Sequence, residues 1–108
     1  MQWGGSLGEI FDSSTQTAVT VRGFGTFEGT ADPAVVLEAV SGAAARRVGS
    51  VLSTIADTRG VAAAAQHDLA ARGVVGELTI SALSISAEDH ERLQAAAIKA
   101  AMAARARK

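Results

Sequence analysis

The chain has 108 residues, no cysteine and a formal net charge of -1. That length makes one domain, able to remove roughly two-thirds of its unfolded surface from water. The missing thiols exclude disulfide scaffolds, zinc–thiolate sites and cysteine nucleophiles together, and the near-neutral charge gives the whole domain no electrostatic pull toward nucleic acid.

Residues 1–17 are rich in Gly, Ser and Thr and read as loop, with one short strand around Glu9-Ile10-Phe11. From Ala18 to Glu28 the β-branched Val19, Thr20 and Val21 and the aromatics Phe24 and Phe27 favour a strand. Val19 and Val21 share one face and Thr20 and Arg22 the other. Gly23 and Gly25 interrupt that pattern, which points to a bulge or to a close approach by another backbone or a large ring.

Asp32-Pro33 starts a helix, since Asp caps free N–H groups and Pro at the first helical position has none to orphan. Val36, Leu37 and Val40 give it an apolar face, with Gly42 placed to end or kink it. A second helix is predicted over 43–58, with Val48, Val51, Leu52 and Ile55 at helical spacing and Gly60 as its stop. The third runs over 61–72 on Val61, Ala65 and Leu69, closed by Gly73.

Residues 77–85 read as a strand whose apolar parity changes between Leu78, Ile80 and Leu83, Ile85. A bulge near Ser81-Ala82, or burial of both faces, accounts for the change. Ser86-Ala87-Glu88-Asp89 resembles a capping box, opening an Ala-rich helix to Lys108 of about 30 Å. Its basic end, Lys99, Arg105, Arg107 and Lys108, opposes the helix dipole.

Motifs for chemistry fare poorly. Gly4-Gly5-Ser6-Leu7-Gly8 fits G-x-S-x-G, yet no strand and helix frame Ser6 as a nucleophile elbow requires. The glycines of 23–29 sit in a strand rather than opening a helix, so they make no phosphate cradle. His67 has Asp68 beside it and His90 has Asp89 and Glu91, but adjacent helical residues point about 100° apart and form no ready pair. No zinc-ligand spacing occurs. Arg46-Arg47 and the basic C-terminus are the lipid or nucleic-acid candidates, without aromatics among them to stack bases. No apolar run of about eighteen residues and no leader pattern is present, so neither a membrane span nor a signal peptide is expected. No catalytic, cofactor or metal residue is assigned.

The last helix says more. Alanine is the best helix former, so the helix should persist. Its large apolar residues Leu93, Ile98 and Met102 do not fall on one stripe, and small side chains let another helix come close. Two readings stand, a plain solvated terminal helix and a self-association element.

The segment Arg22-Gly23-Phe24-Gly25-Thr26-Phe27, followed by Asp32-Pro33, resembles the band-7 domain of the stomatin, prohibitin and flotillin (SPFH) superfamily. Gln2-Trp3-Gly4 and Asp12 look like positions of its bacterial virion core protein-like branch. Ala71-Arg72-Gly73-Val74, Glu77-Leu78-Thr79-Ile80 and Leu83-Ser84-Ile85 resemble its glycine turn and final strand. The resemblance implies the latter half of that domain, without the earlier hairpin, as a truncated piece or a minimal relative with a free sheet edge. It also implies a long helix that drives oligomerisation after the domain.

The expected fold is therefore α+β, a small, twisted, mostly antiparallel sheet packed by three central helices with the last helix projecting. Gly25, Phe27, Asp32, Pro33, Gly73 and Ile80 are expected to carry the fold, and Leu93, Ile98 and Met102 the assembly. The expected function is a non-enzymatic, self-associating scaffold that organises protein partners, with no cofactor. Its expected location is the cytoplasm, with peripheral membrane contact and no nucleic acid. The alternatives are a small hydrolase or lyase using His67 or His90 with a carboxylate, and a lipid- or nucleic-acid-binding adaptor using the basic last helix.

Overall fold

The structure is a computed structural model that describes residues 1–47 and 49–106. Strand β1 (Gln2–Asp12) turns back into β2 (Thr17–Gly29), and the helices α1 (Pro33–Ala45), α2 (Val51–Ala56) and α3 (Thr58–Ala71) follow. Strand β3 (Gly76–Ile85) and helix α4 (Ala87–Ala106) complete the order. The sheet has the order β1-β2-β3 and both pairings are antiparallel. The fold is α+β, with α1 packed on β1, α3 on β3 and on α1, and the short α2 touching β1, β3 and α3.

β1 corrects the expectation of a mostly loop-like start. Its glycines hide an alternation in which Trp3, Leu7, Ile10 and Asp12 face inward. Pairing with β2 supplies the order that local propensity lacks. A register shift between Ser6 and Glu9 lets Leu7 turn into the core. Beyond β1, Ser14 donates from its N–H and its hydroxyl to the buried Asp12 carboxylate, at 2.9 and 2.5 Å, and shapes the turn.

β2 alternates as read, with Val19, Val21 and Phe27 buried and Thr20, Arg22, Thr26 and Glu28 exposed. β2 pairs with β3 across the three intervening helices, with Phe27 opposite Leu78 and Gly25 opposite Ile80. Ile80 opposes Gly25 and Ala82 opposes Phe24, so Ser81 is the extra residue of a bulge. That bulge is why the apolar parity changes and Leu78, Ile80 and Leu83 are all buried.

Asp32 caps α1 by accepting from the Ala34 N–H at 2.9 Å, with Pro33 as the first helical residue. Asp32→Ala should cost about 1 kcal/mol, read as a small drop in the thermal melt, because that N–H then has only water to bond. Gly42 neither ends nor interrupts α1, which runs on to Ala45. One glycine costs about 1 kcal/mol, less than the neighbouring burial of Val40, Ala43 and Ala44 returns.

The helix expected over 43–58 is also corrected. Only Val51–Ala56 is helical after α1 has ended, and Val48 lies outside the described residues. Asp57 then caps α3 by accepting from the Gly60 N–H at 3.1 Å, so Gly60 lies in the first turn of a helix instead of stopping one. Val61, Ala65 and Leu69 are fully buried along α3. Gly73, at a φ of 80°, closes it: its N–H reaches Ala70 O at 3.0 Å, and the Val74 N–H reaches Leu69 O at 2.9 Å. This is the paired bonding of a Schellman cap, which needs a left-handed residue at that position.

Candidate functional site

α4 begins as an anchored element. The Asp89 N–H donates to Ser86 Oγ at 3.1 Å, the first half of a capping box. The Asp89 carboxylate does not return to Ser86. It accepts from the Thr20 N–H of β2 at 3.2 Å and from Arg92 Nη1 at 3.0 Å. β3 pairs with β2 only as far as Val21, so Asp89 takes up a strand N–H left beyond that last rung.

One turn further, Leu93 is 2% exposed and belongs to the domain's own core. That burial takes it out of any surface for a partner. Past Leu93 the helix leaves the body of the molecule, whose principal extents are 55, 24 and 17 Å. Ile98 and Met102 are 62% and 64% exposed. They lie four residues apart and thus on one face, about 140–180° around the axis from Leu93. What the sequence shows as scatter is two faces with two employments, one docked and one open. Arg105 follows on the open face, while Arg107 and Lys108 lie outside the described residues.

The remaining candidates are dispersed. Ser6 is exposed on β1 and donates no helix-end or histidine contact among the described residues. His67 and His90 are exposed on α3 and in the first turn of α4. Arg46 pairs with Asp68, and Arg47 with Asp57 at 2.7 Å, so this dipeptide ties the end of α1 to α3. The Arg47 guanidinium, helped by the Gly60 N–H, holds the Asp57 carboxyl below the ordinary carboxylate range. Among the described residues no cluster of three His, Asp or Glu side chains is placed to hold a metal ion, and no helix is long and apolar enough to cross a membrane.

A shallow groove of about 460 Å³ runs between α3 and the outer edge of β3, lined by Thr58, Arg59, Ala62, Gln66, Glu77 and Ile80. Gln66 crosses it: Nε2 donates to Gly76 O at 2.6 Å, and the Leu78 N–H donates to Oε1 at 2.7 Å. One side-chain amide thereby stands in for a neighbouring strand and blocks part of an exposed edge. The sequence offers no signal for this role, since a lone Gln on a helix is ordinary.

Compared with protein-family models, curated proteins and solved structures, the chain matches none of them. The site therefore rests on its own geometry. Its defining property is a helix pinned at one end by Asp89 and Leu93 and bare at the other.

Proposed function

We propose that this chain is a non-enzymatic scaffold module of the SPFH/band-7 kind, and that the distal half of α4 brings copies of it together. The proposed setting is the cytoplasm, with peripheral contact at a membrane and with protein partners organised around the assembly. The observation that carries this reading is the exposure of Ile98 and Met102 on a helix that projects from its own core. Fully burying each such side chain is worth about 1.5–3 kcal/mol, and among the described residues most of that is not gained.

The test is sedimentation at several concentrations. Wild type should shift toward larger species as concentration rises. Ile98→Glu combined with Met102→Glu should sediment as a folded monomer, because Glu is a good helix former and both positions lie outside the core. A wild type that stays monomeric throughout would remove the reading.

A further inference from the structure

Among the described residues the helices cover one face of the sheet, and the opposite face shows Phe24 at its centre, 57% exposed. Across the strands Phe24 has Gly4 on one side and Ala82 on the other, so its ring stands clear of low neighbours. Two open-face rows further along β2, Glu28 lies directly opposite Glu77. Like charges so placed destabilise a sheet, and neither has an ion-pair partner among the described residues.

The free face of α4 has the complementary features. Ile98 and Met102 sit one turn apart, with the small Ala95 and Ala101 around them and Arg105 seven residues beyond Ile98. From Phe24 to Glu28 is about 13 Å of strand. From Ile98 to Arg105 is about 10 Å of helix, and the arginine side chain spans the difference. With Ile98 and Met102 against Phe24, Arg105 falls beside the Glu28–Glu77 pair. The wider charge agrees: the open face carries Glu9, Glu28 and Glu77 against Arg22, while residues 94–106 carry Lys99 and Arg105 and no acid.

We propose that the open face of the sheet receives the distal half of α4 from a second copy, reciprocally, so that two chains form a symmetric dimer. Its own helix is no candidate, because Asp89 and Leu93 fix the first turns and the rest leads away from the body. Reciprocity follows from size. A stable interface takes roughly 1,600 Å² in total, which half a helix on one sheet does not reach alone. Two-fold exchange doubles the area and uses up both surfaces, which closes the assembly. The inference rests on the self-association reading and adds the surface that receives the helix.

The absence of cysteine makes the test direct. Phe24→Cys and Met102→Cys chains, each altered at an exposed position, are mixed and treated with a short bis-maleimide, and the products are weighed by mass spectrometry. The expected main product joins one chain of each kind. Products joining Met102→Cys to itself, from a wild type that sediments as a dimer, would overturn the sheet face and leave α4-mediated association standing. A wild type that is monomeric at all concentrations removes both. In a second arm, Glu77→Arg should weaken the dimer roughly tenfold, and adding Arg105→Glu to the same chain should restore it. A double variant no tighter than Glu77→Arg alone would overturn the placement of Arg105.

Discussion

Replacing Phe27 with alanine should destabilise the domain by about 3–5 kcal/mol. The ring is 0% exposed and faces Leu78 across the β2–β3 ladder. Its far edge lies over Gly29 and Gly76, which pair at the end of that ladder; a Cβ at Gly29 would come within 2.7 Å of the ring. These glycines have no side chains that could move into the space left by the ring, so the cavity stays open and the cost falls high in the range. Domains of this size are stable by about 5–15 kcal/mol, so the loss is a large share of the total. A melting point lower by on the order of 15 °C is the expected reading. A melt within a few degrees of wild type would mean that the β2–β3 pairing is wrong at Phe27.

Residues that announce themselves locally were legible. Asp32-Pro33 and Gly73 declare a start and a stop through their own backbone chemistry, and each bonds as its type requires. The parity change from Ile80 to Leu83 marks an irregularity there, and the register shift at Ser81 makes it a bulge. Of β1 only the stretch Glu9-Ile10-Phe11 was legible, and the rest was hidden for the opposite reason. Gly4, Gly5 and Gly8 carry no propensity for a strand, and the strand exists because β2 lies beside it. The helices differ from expectation where glycine was read as punctuation. Gly42 and Gly60 both lie inside helices that burial and an Asp57 cap sustain.

The candidate site divides in the same way. Exposure of Ile98 and Met102 follows from an alanine-rich helix with too little apolar surface to wrap itself into the core. Burial of Leu93 comes with a docking of α4 that the Asp89 contact to Thr20, sixty-nine residues away, helps to fix, and no local pattern carries that. Gln66 is the sharper case. Its amide acts as a strand, which requires the edge of β3 to be already in place.

Gly25→Ala should also destabilise the domain strongly, although it adds a single methyl group. A Cβ there would be driven into Thr79 O and within 3.0 Å of Ile80 Cα, both main-chain atoms of the partner strand. A side chain could rotate away; a paired strand must separate. Overpacking costs about 1–3 kcal/mol, and a backbone obstacle places this case at the upper end. The separation also has its own reporter. Trp3 lies opposite Gly25 and donates from Nε1 to Thr26 O and Thr79 O, at 3.3 Å each. It is the only tryptophan, and the chain has no tyrosine, so its emission reports this junction alone. Gly25→Ala should shift that emission to longer wavelength in the folded state as well as lower the melting point. The same substitution at Gly42 is the control, since a Cβ there meets only the Arg46 guanidinium, at 3.3 Å. Within the last turn of α1 it should stabilise by up to about 0.5–1 kcal/mol and leave the emission unchanged. Equal effects at the two glycines would show that β3 does not press on β2 at Gly25.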